Sequence, residues 1–266
     1  MRLIDTHAHL QFPYEELGDN WTKPEPGTEA QISEIVSRAG EAGVVKILNV
    51  GTSLSDSAHV NKISENFGNV FKVFGVHPHN SHELATHEGR DVFEKLLEQG
   101  CPVGIGEIGL DFFRMHNTKT EQATAFEYQL AWAKQKGLPV CIHTREAFQE
   151  TYDLLKKHDV HGLIHSFTGN AEWAKKFIDL GFLIAFNGIV TFKNSRELQD
   201  AAREIPLEKM VLETDSPFLS PEPERGKVNE PAKVRFTAAK IAELKGVSVE
   251  EVAEVTSKNA ENLFGI

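Results

Sequence analysis

Side chains able to bind a divalent cation or move a proton recur in this sequence directly after short apolar runs. Leu3-Ile4 leads into Asp5-Thr6-His7-Ala8-His9, and the run 71–76 leads into His77-Pro78-His79. The run 103–106 is followed by Glu107, 139–142 by His143, and 162–164 by His165. The run 182–186 ends in Asn187, and 210–212 ends in Glu213-Thr214-Asp215. Imidazoles suit zinc, manganese or iron, and hard carboxylates also admit magnesium. In His7-Ala8-His9 the i, i+2 spacing turns both imidazoles to one side of an extended strand. One rigid element then offers two ligands to one ion. Crowding Glu107, Glu213 and Asp215 together without a cation would set like charges against each other in a desolvated site. A divalent ion removes that conflict and holds the imidazoles neutral. His7, His9, Glu107, His143, His165 and Asp215 are therefore the predicted ligands. Six exceeds what one tetrahedral catalytic ion needs beside an open position. Two divalent ions (Mg, Mn or Zn) bridged by Glu107 fit the count better.

These residues need a frame that brings seven scattered segments to one place. The eight apolar runs at 3–4, 45–50, 71–76, 103–106, 139–142, 162–164, 182–186 and 210–212 are short and compact. That pattern suits parallel strands buried on both sides. Helical spacing lies between them, as in Ile32, Ile35, Val36 and Ala39, or Phe126, Leu130 and Ala133, a stretch stopped by Gly137 and Pro139. Phe148, Tyr152 and Leu155 repeat it, as do Ala171, Ala174 and Phe177. Two more helices are predicted after the eighth strand: 232–245, and a closing segment opened by a Ser248/Glu251 capping box. The reading is an α/β chain, a (β/α)8 TIM barrel with additional C-terminal helices, with a doubly wound sheet as the alternative. In a barrel every strand end named above faces one rim, where function-bearing loops gather. The polar stretches 14–28 and 220–231 belong to that rim, and no linker divides the 266 residues into more than one domain.

Composition narrows the partners. With 28 basic and 39 acidic residues the formal net charge is −11, which argues against broad electrostatic capture of nucleic acid or anionic membrane. Any phosphate-bearing substrate would rely on bound cations to change the local field. Two cysteines, Cys101 and Cys141, make no disulfide framework. Neither a secretory leader nor a membrane-spanning run is visible, so the expected location is cytoplasmic. Gly104, Gly106 and Gly109 match a dinucleotide-binding signature, but Glu107 within it would repel a pyrophosphate, so no nucleotide cofactor is expected.

In order along the chain stand His7-Ala8-His9, Gly75-Val76-His77-Pro78-His79, Gly104-Ile105-Gly106-Glu107-Ile108-Gly109-Leu110-Asp111 and Ile142-His143-Thr144-Arg145. They are followed by His165-Ser166-Phe167-Thr168-Gly169, Glu213-Thr214-Asp215-Ser216-Pro217 and Arg225-Gly226-Lys227-Val228-Asn229-Glu230-Pro231. Over essentially the whole chain this series resembles the TatD family of metal-dependent deoxyribonucleases. The resemblance implies an amidohydrolase-type TIM barrel acting on DNA phosphodiesters, with several members degrading DNA from the 3′ end. The family's ligand positions fall on the same six residues, and His77 and Glu213 match positions used near the reacting phosphate. Asp215 is expected to accept the nucleophile's proton, with Glu213 or bulk water as the other acceptor, and His77 to steady the phosphate or protonate the leaving oxygen. Arg145 would offer its fork to a phosphate oxygen, and Asp111 would orient a ligand histidine. Arg225, Lys227 and Asn229 would meet the nucleic-acid backbone, and Trp21, Phe112 or Phe113 a base. The chain departs from the family at Val228, where a basic residue is common, and in the 14–28 stretch, which has no counterpart. Amide, lactone or aminoacyl-ester hydrolysis on a related barrel, and a non-catalytic metal-binding module, are the alternatives. Related amidohydrolases often bridge their metals with a carbamylated lysine where this chain has Glu107.

Overall fold

The computed structural model of the chain describes residues 1–12 and 28–266. Among them, eight parallel strands pair in chain order: β1 (Leu3–Ala8), β2 (Val44–Val50), β3 (Val70–Phe74), β4 (Gly104–Asp111), β5 (Val140–Arg145), β6 (Gly162–Ile164), β7 (Phe182–Phe186) and β8 (Met210–Leu212). One helix follows each of the first seven: α1 (Glu29–Glu41), α2 (Leu54–Ser64), α3 (His87–Gly100), α4 (Lys119–Lys136), α5 (Phe148–His158), α6 (Ala171–Asp179) and α7 (Arg196–Glu204). Two more, α8 (Val234–Lys245) and α9 (Val249–Phe264), follow β8. This is the predicted TIM barrel with extra C-terminal helices. No helix among the described residues is long and apolar enough to cross a membrane.

Barrel closure rests on few bonds. Among the described residues, the one bridge that joins β1 to the chain after β8 is Ala8–Ser216. The His7 carbonyl accepts from the Asp215 amide at 2.8 Å, and the Ser216 carbonyl accepts from the His9 amide at 2.8 Å. Below them the Thr6 hydroxyl donates to the Leu212 carbonyl. The fully buried Asp5 carboxyl accepts from the Thr214 amide and shares a 2.5 Å bond with the Thr214 hydroxyl. Side chains thus seal a seam that the short β8 cannot close by ladder alone.

Inside the ring, Ile4, Leu48, Val73, Cys141, Leu163, Ala185 and Val211 meet Ala260 and Phe264 of α9. The lower half of the barrel is therefore solid hydrocarbon, and the polar groups are confined to its upper end. Gly106 contributes no side chain to this layer because Cys141 occupies the space its Cβ would need. A separate apolar layer joins the outer strand faces to the helices.

Three expectations change in detail. β1 and β4 run past their apolar stretches through Asp5–Ala8 and Glu107–Asp111, since all these residues are buried whatever their polarity. The Gly104–Gly109 series accordingly lies within a strand and not in a turn that opens a helix. At the C-terminal side, Pro231–Lys233 form a 3-10 turn before α8. Ser248 caps α9 by accepting from the Glu251 amide, whereas the reciprocal half of the capping box is not among the described bonds. Trp21 and most of the 14–28 stretch lie outside the described residues.

Candidate metal centre

The strand ends bring their polar side chains together around Glu107. Its Oε2 lies 3.5 Å from His7 Nε2 and 3.9 Å from His9 Nε2, from the end of β1. Its Oε1 lies 2.7 Å from His143 Nδ1, 3.5 Å from His77 Nε2 and 3.8 Å from His165 Nε2. Asp215 Oδ1 stands 3.5 Å from His9 Nε2 and 3.8 Å from His165 Nε2. All six predicted ligands converge. The two Glu107 oxygens face different groups: His7 and His9 on one side, His143 and His165 on the other.

Outer contacts aim the rings. His9 Nδ1 bonds the Val50 carbonyl at 2.8 Å, which fixes the proton there and leaves Nε2 bare toward the centre. His165 Nδ1 bonds Glu213 Oε2 at 3.0 Å, and His143 Nε2 points at Asp111 Oδ2, 3.4 Å away. The His7 ring stacks on that of His165 with centroids 3.5 Å apart. Ser166 and Asp215, just past β6 and β8, hold positive φ of 44° and 57°. These sparsely populated conformations persist only where the surroundings enforce them. Gly75 matters for a related reason: a Cβ there would drive into the Gly106 carbonyl, displacing the backbone that presents Glu107.

The electrostatics ask for positive charge. Among the described residues no Lys or Arg pairs with Glu107, Glu213 or Asp215. Burial works against ionising Glu107, yet the imidazoles of His77, His165, His143 and His7 hold it well below the usual carboxylate range. Burial likewise opposes charge on His165, but Glu213, Glu107 and Asp215 outweigh it and push that imidazole up to about 10. Either protons on histidines or cations must balance these carboxylates. Among the described residues the groups His7/His9/Glu107, His77/Glu107/His143 and His7/His165/Glu213 each bring ligand atoms close enough to hold one ion, and His7 Nδ1 is buried without a partner; such donor sets fit divalent ions.

Not every expected residue faces the opening. Glu213 is fully buried behind His165; its Oε1 accepts from the Ser166 amide at 2.7 Å and from Asn187 Nδ2 at 3.4 Å. Both oxygens are engaged, so Glu213 supports His165 and the Ser166 backbone; it also stands with His7 and His165 in a group whose ligand atoms could hold one ion. Asp111 is also buried, with Oδ1 accepting from the Phe113 and Arg114 amides and Oδ2 bonded to His79 Nε2 at 2.9 Å. Asn229 is fully buried, and its amide bonds the Thr214 and Phe218 carbonyls, fixing the rim loop. By contrast, Arg145 and Arg225 are exposed, each with its guanidinium 4.0 Å above a ring, Phe113 and Phe192 respectively. His79 was passed over in the sequence. Its ring bonds Asp111, stacks on His116 and meets His77 edge-on, and the His-x-His spacing shared with His7 and His9 was the available signal.

The chain matches the model of the TatD related DNase family from residue 4 to residue 265. It is 38% identical over 270 residues to the uncharacterized metal-dependent hydrolase YcfH of Escherichia coli K12, covering all of this chain and 97% of that one. Identity to the uncharacterized metal-dependent hydrolase YabD of Bacillus subtilis is 35%, with 99% of each chain covered. The crystal structure of YjjV, a TatD homologue from Escherichia coli, superposes with a TM-score of 0.85 at 29% identity, covering 100% of this chain and 98% of that one. With the barrel, the His/Glu clusters at its strand ends and whole-length similarity in agreement, the chain belongs to the TatD related DNase family of metal-dependent hydrolases.

Proposed function

We propose that this protein hydrolyses DNA phosphodiester bonds, removing nucleotides from the 3′ end, with two divalent cations (Mg, Mn or Zn) at the strand ends. His7, His9 and Glu107 Oε2 would hold one, His143, His165 and Glu107 Oε1 the other, with Asp215 reaching in from β8. The observation that carries this reading is the division of the two Glu107 oxygens between separate histidine groups. When bound, such cations supply Lewis acidity, lowering the pKa of water from about 15.7 toward about 7 and offsetting charge on phosphoryl oxygens.

The chain's own residues divide the remaining work. Asp215, whose side chain is the least covered of the central carboxylates, takes the proton of the attacking water as a phosphorus–oxygen ester bond breaks, and solvent water protonates the departing sugar oxygen. His77 acts as a neutral donor. Its Nδ1 accepts from the His79 amide, so the neutral ring carries its proton on Nε2, directed at the centre. Burial holds this ring well below an ordinary histidine despite Glu107 nearby, which suits a hydrogen bond to a phosphoryl oxygen better than service as an imidazolium acid. Arg145 and Arg225, each stacked on a phenylalanine with no carboxylate partner among the described residues, suit flanking phosphates, and the exposed Phe113 a base.

Protein stripped by chelator and reloaded with Mg2+, Mn2+ or Zn2+ would be given end-labelled single- and double-stranded DNA, RNA and an ester panel. The expected result is mononucleotide release from the 3′ end that metal restores and that Glu107→Ala or Asp215→Asn abolishes. Ester turnover with inert DNA would overturn the proposal.

A further inference from the structure

The sheet has a gap at its functional end. The ladder between β3 and β4 stops at Phe74–Ile105, but β4 continues to Asp111 while the chain after β3 turns toward the Pro78–Ala85 3-10 segment. The His77 amide donates to Thr52 on the β2 side, and the Phe112 amide to Arg145 on the β5 side. Alternation along the backbone therefore turns the amide and carbonyl of Val76 away from β2 and those of Asp111 away from β5, toward the gap, where no ladder bond reaches them.

Helix α4 fills both vacant edges. Gln129 Oε1 accepts from the Val76 amide at 2.8 Å, and its Nε2 donates to the Val76 carbonyl at 3.0 Å. Gln122 Oε1 accepts from the Asp111 amide at 2.9 Å, and its Nε2 donates to the Asp111 carbonyl at 3.0 Å. Both glutamines are buried, on the same face as Phe126, Leu130 and Ala133. Each side-chain amide thus replaces the donor and acceptor of a missing strand neighbour. Seven residues apart, the pair spans about 10 Å of one rigid helix.

What the two lips of the gap carry decides the consequence. Val76 precedes His77, whose Nε2 is 3.5 Å from Glu107 Oε1. Asp111 bonds His79 and faces His143, whose Nδ1 is 2.7 Å from the same oxygen. We infer that Gln122 and Gln129 are positioning residues: α4 sets the separation of the gap's lips and so the placement of His77 against Glu107 and His143. The inference rests on the reading in which His77 contacts the substrate.

Gln129→Met and Gln122→Met keep side-chain length and remove both hydrogen bonds to the gap's edge, along with Gln129's bond to the Ala125 carbonyl and Gln122's to the Asn117 carbonyl. Asn259→Leu is the control, removing an amide that bonds the Leu207 and Met210 carbonyls beside the start of β8, at the opposite end of the barrel. The metal-loaded full-length proteins would be compared in metal content, kcat, KM and amide hydrogen exchange. Gln129→Met should expose the Val76 amide to exchange, keep the metal, and lower kcat about 10- to 100-fold with KM changed less than threefold, the scale of a misplacement near 1 Å. Gln122→Met should do the same through the Asp111 amide, while Asn259→Leu keeps kcat within twofold. In a His77→Ala background, Gln129→Met should cost less than threefold, because its target is already gone. An equal cost in both backgrounds, or wild-type kcat with Val76 exchanging freely, would overturn the inference while leaving the proposed reaction intact. Wild-type turnover by His77→Ala alone would instead remove His77 from the reaction, and the inference with it.

Discussion

Replacing Glu213 by glutamine should weaken metal binding although the side chain is buried behind the ligands. Glu213 accepts on both sides: from His165 Nδ1 at 3.0 Å through Oε2, and from the Ser166 amide at 2.7 Å through Oε1. A glutamine has only one oxygen. If that oxygen stays toward His165, the new NH2 confronts the Ser166 amide and Asn187 Nδ2, which are both donors. In the reverse orientation the NH2 faces His165 Nδ1, and the ring proton must move to Nε2, removing the lone pair from the centre. The first orientation leaves a buried donor unsatisfied, a cost of about 1–3 kcal/mol. The second removes a ligand for as long as it persists. At about 1.4 kcal/mol per tenfold, affinity should fall roughly 10- to 100-fold, the range observed when a carboxylate supporting a ligand histidine is lost. Competition of stripped protein against a chromophoric chelator for Zn2+ or Mn2+ at pH 7.5 reads this ratio directly. Binding of Glu213→Gln within twofold of wild type would refute the tautomer argument, and with it the assignment of Glu213 as a support.

Burial pushes the Asp5 carboxyl up to about 8, opposed by its bonds to Thr214 and His7. Since the folded value lies above the unfolded 3.8, this group's contribution is fully present below about pH 4 and is lost as pH rises toward 8. The gap sets an upper bound on the order of 5 kcal/mol. Asp5→Asn should therefore gain on wild type between pH 5 and 8 in urea unfolding of metal-depleted protein, and parallel stability curves would contradict this. Arg145→Ala removes an exposed guanidinium from the Phe113 ring. It should raise KM for DNA three- to tenfold and make binding less salt-dependent, with kcat and metal content kept; an unchanged KM would exclude a phosphate contact. Burial raises the Cys141 thiol well above its ordinary value, and Cys101 is exposed. Ellman's reagent should therefore titrate one thiol in the native protein and two after denaturation, whereas two native thiols would show that the barrel interior opens.

The convergence of the expected ligands was readable from sequence because a barrel converts "just after an apolar run" into "at one rim", whatever the register details. His7, His9, Glu107, His143, His165 and Asp215 needed only that rule. Sidedness was harder to read. Glu213 and Asp215 lie two residues apart, yet one backs His165 and the other opens to the mouth, because Asp215 sits at a positive φ that no pattern announces. Sequence alone leaves Asn229, grouped with Arg225 and Lys227, between a nucleic-acid contact and a brace for the rim loop, and its amide turns inward to two carbonyls. Gln122 and Gln129 were legible in principle, as polar residues recurring on the apolar face of α4. Their purpose required knowing that β3 leaves the sheet early.

The seam between β1 and β8 also has a consequence in time. Asp5 and Thr214 bond across 209 residues of sequence. At about 5–20 residues per second of synthesis, roughly 10–40 s separate the emergence of the two sides. Throughout that interval a growing polypeptide holds the His7–His9 pair without Asp215, the carboxylate that stands 3.5 Å from His9 in the folded barrel. Whatever the strand ends do together therefore waits for the residues past β8, however early the first seven strands form.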